Sequence, residues 1–437
     1  MAGWLDTLRD GGWLTLGRVR LWAFAILVAS SAGLVYLVAT SDGLNDYQGR
    51  PLGTDFSNIY VAGTHVLEGR PEAPFDPRRQ YARAKEIFGP DTPYYGWHYP
   101  PLFHPVAAML ALMPYPLALV VWQAATLLLY LLAIRAIVGT ASWPGLTRPS
   151  TSYLPAPEGV DALDWPRHDG VLWLLLALAF PAVFVNLGHG HNGFLTAALF
   201  GFALVNLDTR PLVAGALFGL LAYKPQFGLM IPLVLAATGR WRAVLAAAAT
   251  VAALALAVTL AFGIETWREF LHSAGFTRLV LEEGGPGWHM IQSVFSAVRM
   301  WGGPVLLAYA VQGIVTLGIG VALVLLWRSQ AVFALKAAAL CIATLLVTPY
   351  CLDYDMMLLA PAIAFLAVDG IERGFSPYHK TALAALWLVP LVARSVAQAT
   401  LVPLGVMLML ALLALVMRRA RRDLGAVPNG QAAILGS

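Results

Sequence analysis

The sequence predicts an all-α protein threaded repeatedly through a membrane, and three observations carry that prediction. Of its 437 residues, 59% are hydrophobic and 12% charged, against about 25% charged in a soluble domain, and the mean hydropathy is +0.69. Apolar runs close to the roughly 20 residues that a span needs recur along almost the whole chain. The basic residues stand at the ends of those runs, as at Arg18 and Arg20, Arg240 and Arg242, and Arg418 to Arg422, where cytoplasmic anchors are found. The net charge of +4 therefore reads as membrane orientation and not as nucleic-acid binding. No stretch is left for a large soluble domain, so residues 1–437 are expected to form one polytopic unit.

The first apolar run, about 21–40 within an expected span 19–40, follows Arg18 and Arg20 like a signal sequence, but it lacks a small-x-small cleavage site and reads as an uncleaved anchor. In the loop after it, "GTDFSNIYVAG" (53–63) opens a stretch with apolar residues at Phe56, Ile59, Tyr60, Val66 and Leu67. That spacing predicts an amphipathic helix lying on the outer surface, ending at Gly69-Arg70-Pro71. The segment 102–113 is bracketed by Pro100-Pro101 and Pro114; at about 12 residues it is too short to cross alone and is expected to be a juxtamembrane helix. Further spans are expected at 115–138, 170–187, 192–207, 210–223, 225–238, 242–263, 303–327, 331–349, 354–369, 381–397 and 400–417, about twelve in all.

The positive-inside rule puts "GRWR" (239–242), Arg328, "ERGFSPYHK" (372–380) and "RRARR" (418–422) on one side under this count, with both termini cytoplasmic. The Pro/Ser-rich connector 139–169 and the tail 418–437 share that side. Residues 41–114 and 264–302 become two outer loops. The two cysteines, Cys341 and Cys351, give neither a disulfide framework nor metal-ligand spacing. No transporter-type internal repeat is evident.

The conspicuous polar motifs all fall on the outer side of this topology. They are Asp55, "WHYPPLFH" (97–104), "GHGHNG" (188–193), "YKPQ" (223–226), the stretch from Glu282 and Glu283 to His289, and "CLDYD" (351–355). Ionisable groups at membrane depth are costly and usually line an enclosed cavity. Each also has a plain structural reading. Asp55 stands where a helix N-cap would stand, a role compatible with pointing a carboxylate into a cleft. His189, His191 and Asn192 lie in a glycine-rich turn; a sugar contact or a simple connection suits them better than a metal site. Lys224 either snorkels to headgroups or binds a lipid phosphate, with Gln226 just beyond it. Asp353 and Asp355 are either paired acids or the turn that opens the next span. His289 sits in the second outer loop after the glycine-rich "EGGPGW" segment, near Arg278 and Arg299, a loop able to close over a substrate or to serve as a connector. His98 and His104 read as packed side chains, and their neighbours Trp97 and Tyr99 suit an interfacial aromatic belt.

Taken together, "TDFSNIYVAG", "YPPLFHPVAAMLALMP", "GHGHNGFLTAAL", "AYKPQFGLMIPLVL" and "TPYCLDYDMMLLAP" resemble the integral-membrane glycosyltransferases of the GT-C class, and among them family 87, polyprenol-phosphate-mannose-dependent α-mannosyltransferases. The resemblance runs from about residue 20 to 415, with the motifs in order. It implies a GT-C fold, a polyprenyl-phosphate hexose donor used at the outer face of the plasma (inner) membrane, inversion at the anomeric carbon, and Asp55 as catalytic base. The outer-facing polar motifs are expected to form the donor and acceptor cleft beside it, with a substrate site drawn from Lys224, Gln226, His189, His191, Asn192, His289, Tyr99, His98, Asp353 and Asp355. A glycan, glycolipid or other hydroxyl acceptor completes the reaction, which requires neither cofactor nor metal. The chain departs from the family at His191, a position where Gln is frequent; an imidazole there introduces pH dependence or altered sugar selectivity. Two rivals remain, a transporter or flippase of a lipid-linked or polar solute, and a non-catalytic scaffold in which Asp55 is only a cap.

Overall fold

A computed structural model describes residues 2–140 and 170–425. The expected connector at 139–169 therefore lies, beyond Thr140, outside the described residues, as does the tail beyond 425. The described chain is helical, with isolated bridge pairs such as Ile291 with Leu352.

Six helices are long and apolar enough to cross a bilayer: Leu16–Ala39, Tyr115–Gly139, Trp241–Phe262, Val305–Arg328, Asp353–Arg373 and His379–Thr400. A seventh span results if Gly170–Leu178 and Pro181–His189, bent by 49°, count as one. The protein is thus an all-α polytopic membrane protein, with six or seven helices meeting the length test against the twelve spans expected. The difference has a local cause. Pro211, Pro225 and Lys224 cut the apolar sequence into pieces such as Pro211–Leu220 and Met230–Ala237, each well short of the roughly 20 residues of a span. The outward faces fit hydrocarbon: Leu306, Ile314, Leu317 and Leu325 of one helix are all exposed, a surface that water would penalise and lipid does not.

Two short helices form the centre. Gly193–Asn206 and Phe333–Leu346 are apolar all round and buried on nearly every face, as such helices must be. Beside them Gly215 and Gly219 let Pro211–Leu220 approach Trp241–Phe262, since a Cβ at Gly215 would lie 2.2 Å from the Ala243 carbonyl oxygen. Small residues spaced four apart allow this close approach within a bilayer.

The first loop carries Thr54–Leu67, Pro77–Phe88 and His104–Ala111. The helix around Asp55 is therefore present, but it does not lie on the surface. Phe56, Ser57, Asn58, Ile59, Val61, Ala62 and His65 are all buried. Non-local neighbours cover both of its faces: Gln80 Nε2 donates to the Asn58 carbonyl, and a Cβ on Gly63 would come within 2.1 Å of the Ala107 carbonyl oxygen. The 264–302 loop contains the 19-residue helix Glu265–Glu283.

The basic segments assigned to a common side do meet. The Arg9 carbonyl accepts from Tyr378 N–H, Arg373 and Arg419 share Asp369, and the Arg240 guanidinium lies 5.8 Å from the Trp327 ring centre. Along His379–Thr400, the basic end and Arg394 are about 22 Å apart at 1.5 Å per residue. The polar motifs gather around that far end.

Candidate active site

Asp55 owes its position to Gly53. Gly53 adopts φ 70°, a left-handed conformation that suits glycine, and is itself the N-cap of Thr54–Leu67. Asp55 is therefore the second residue of the helix and caps nothing, which corrects the capping expectation. Its side chain, 20% exposed, turns to His189, with Oδ2 3.5 Å from Nδ1. Thr54 Oγ1 stands 2.7 Å from the same Nδ1, so the imidazole is held between a hydroxyl and the carboxylate.

His189 closes the helix Pro181–His189, and Gly190 terminates it with φ 65°. A Cβ at Gly190 would strike the Phe56 side chain at 2.5 Å, so glycine here lets the turn dock onto the Asp55 helix. Asn186 organises this turn. Its Oδ1 accepts from Gly193 N–H, and its Nδ2 donates to the Tyr354 carbonyl at 2.9 Å. It thereby ties "GHGHNG" to "CLDYD". Sequence reasoning passed over Asn186, although an amide inside an apolar run was the available signal.

The second carboxylate group comes from the turn Asp353–Leu358. Asp355 accepts from Leu352 N–H at 3.0 Å and from Lys224 Nζ at 2.6 Å. Lys224 and Asp355 are 5% and 4% exposed. Lys224 is thus neither snorkelling nor free; it is buried with a partner, because Pro225 breaks the chain there and the turn points inward. Asp353 faces Arg394, Nη1 to Oδ2 3.7 Å, and this arginine keeps 46% of its side-chain surface open. Arg394 was also missed, despite being a lone cation in an apolar run. The Gln292 N–H donates to the Cys351 carbonyl, which docks the His289 segment beside "CLDYD". Burial first, then the Arg394 charge, holds His289 below its ordinary value, against an upward pull from Asp353.

Burial raises the Asp55 carboxyl above its ordinary value; His189 and Lys224 lower it, and the neighbouring Asp353 and Asp355 charges raise it further. A carboxylate crowded by others and partly desolvated holds protons more strongly than a free one. That is the change a general base requires.

His191 stacks on Tyr354 with ring centres 3.5 Å apart, and its Nε2 lies 3.1 Å from Tyr99 Oη. Burial, then the Lys224 charge, pushes the imidazole well below its ordinary value. Asn192, fully buried, heads the next helix beside Tyr99. Trp97 and Tyr99 do not form an interfacial belt: Trp97 is buried against Phe103 and His104.

His98 has a joining role. Its Nδ1 pairs with Thr277 Oγ1 at 2.9 Å and its ring stacks on Phe276, linking the two loops; burial pushes it down to about 4. In the second loop Arg299 donates to the Glu282 and Gly303 carbonyls and lies over Trp288, while Arg278 pairs with Glu282. Gln226, half-buried on the turn Pro225–Gly228, has no hydrogen bond or ion pair to the group. Among the described residues no three His, Cys, Asp or Glu side chains are arranged to hold a metal ion.

A bilayer-embedded helical bundle that gathers three carboxylates, two imidazoles, a buried lysine and a half-open arginine at one end has the makings of a membrane enzyme. The model of glycosyltransferase family 87 matches residues 97–349, more than half of the chain, and the protein belongs to that family. It is a membrane glycosyltransferase. The match includes Tyr99, His189, His191, Asn192 and Lys224 and leaves Asp55, Asp353, Asp355 and Arg394 outside. No curated protein and no solved structure matches the chain.

Proposed function

We propose that the protein transfers a hexose, mannose by its resemblance, from a polyprenyl-phosphate donor to an acceptor hydroxyl at the outer face of the plasma membrane, inverting the anomeric carbon. The observation that carries the reading is the Asp55–His189–Thr54 arrangement, a partly exposed carboxylate of raised proton affinity beside an imidazole and a hydroxyl. Asp55 accepts the proton of the acceptor hydroxyl as that oxygen attacks the anomeric carbon. The bond from this carbon to the phosphate oxygen breaks with its electron pair, and polyprenyl phosphate leaves. The departing phosphate gains negative charge, so a cation must face it. Lys224 is already committed to Asp355, whereas Arg394 is half-open beside Asp353 and carries a fork suited to phosphate. His191, buried and fixed between Tyr99 and Tyr354, positions these two rings beside the carboxylates. The outer-face assignment is supported by the site lying at the opposite end of the bundle from the arginine-rich segments, which the positive-inside rule assigns to the cytoplasm.

The test is to offer purified protein in lipid nanodiscs either polyprenyl-phosphate mannose or GDP-mannose, with a membrane extract as acceptor. Label transferred from the lipid-linked donor alone is the expected result. Transfer from the nucleotide sugar would overturn the donor assignment.

A further inference from the structure

A cavity of about 550 Å³ runs between the helices from Trp13 and Lys380 at the basic end as far as Leu391. Its walls are apolar: Trp22 and Ile26 of the first span, Ile134, Phe180, Ile363 and Trp387. The volume falls within the range of about 300–1,000 Å³ that encloses small organic ligands. The first span covers it loosely, since Trp22 and Phe24 are exposed and Ala23 is the buried residue of that helix. Inside a bilayer, lipid chains are the apolar material that can enter a groove of this kind.

The groove is not uncharged at its mouth. Arg18 and Lys380 both line it, with Trp13 beside them. Arg18 donates to the Trp13 carbonyl, and the Trp13 indole N–H donates to Thr381 Oγ1. The Lys380 stem lies on Gly11, where a Cβ would meet it at 2.6 Å, and its ammonium stands 5.4 Å from the Phe375 ring centre. The local fold therefore holds both cations at the mouth, and among the described residues neither has a carboxylate partner. Two cations without a carboxylate partner among the described residues, at the mouth of an apolar groove and beside an indole, have the chemistry of an anionic lipid site.

We propose that this groove holds one anionic phospholipid of the leaflet on the basic side, its phosphate between Arg18 and Lys380 and a chain along Ile26, Phe180 and Trp387. A polyprenyl-phosphate donor would instead set its phosphate at Arg394 and leave both cations unused. The bound lipid packs the first span, which otherwise touches the bundle loosely, against the helix His379–Thr400 that carries Arg394. The proposal does not depend on the sugar transferred.

Native mass spectrometry of the full-length protein, with phosphatidylglycerol or phosphatidylcholine added, tests it. Wild type should retain phosphatidylglycerol about thirtyfold more strongly, at roughly fivefold per basic residue near an anionic headgroup. Arg18→Ala with Lys380→Ala should remove the preference, and Ala384→Phe, which fills the groove, should remove retention of either lipid. Equal retention by wild type, or a preference that survives in the double variant, would overturn the proposal. So would displacement of the bound phospholipid by stoichiometric polyprenyl phosphate, which would mark the groove as the donor's. None of these readouts depends on transferase activity, so failure here is separable from failure of the functional reading.

Discussion

Replacing Lys224 with Met separates two roles that sequence alone leaves open. In the fold the ammonium stands 2.6 Å from Asp355, with both side chains nearly sealed from solvent. At an effective dielectric of about 20, unit charges roughly 4 Å apart attract by about 4 kcal/mol. Removing one partner of a buried pair costs about 3–5 kcal/mol, because the other charge is left without compensation. Asp355 would then retain the Leu352 N–H at 3.0 Å, which offsets part of that loss. Lys224→Met and Asp355→Leu should therefore each destabilise the protein by about 3 kcal/mol or more. The double variant buries no charge, leaves one backbone N–H unpaired at about 1–3 kcal/mol, and should be more stable than either single variant. The assay is a double-mutant cycle read by unfolding in mixed micelles, followed through tryptophan fluorescence. Strictly additive losses would refute the pairing, as would a Lys224→Met variant as stable as wild type but unable to bind donor; that result would return the lysine to the phosphate.

The same geometry fixes four further outcomes. Gly63→Ala pushes a Cβ into the Ala107 carbonyl oxygen at 2.1 Å; overpacking should lower stability by about 1–3 kcal/mol despite the helix preference for Ala, visible as a reduced thermal midpoint. Thr54→Val removes the 2.7 Å bond to His189 and should lower kcat about fivefold, the ~1 kcal/mol of one hydrogen bond, with KM unchanged. The base must be ionised to work, so activity should fall as pH falls through an Asp55 pKa above the ordinary 3.8. In the same pH–rate profile, Asp353→Asn removes a repelling charge and should move the acid limb to lower pH.

Much of this architecture was legible in sequence because composition and hydropathy are properties of the chain itself. The polytopic class followed from where charge is absent, and the gathering of "GHGHNG", "YKPQ" and "CLDYD" around one end from where the basic residues stand. The features that could not be read depend on partners far along the chain. The Asp55 helix has an amphipathic period, yet it is buried because segments around 80 and 107 close over it. Asp before a helix suggests a cap, but a left-handed Gly53 takes that position and frees the carboxylate. Lys224 had two plausible fates until Asp355, 131 residues away, proved to be its partner. Arg394 and Asn186 were hidden in apolar runs, where a lone polar residue is as strong a signal as the motifs.

The central claim is that Asp55 takes the acceptor proton. Asp55→Asn keeps the shape and removes the base, so its transfer rate from polyprenyl-phosphate mannose, beside wild type at matched expression, is the most direct measurement. The account predicts a fall of about 10²–10⁴-fold, with unchanged thermal midpoint and donor binding. Full transfer by the folded variant would contradict it.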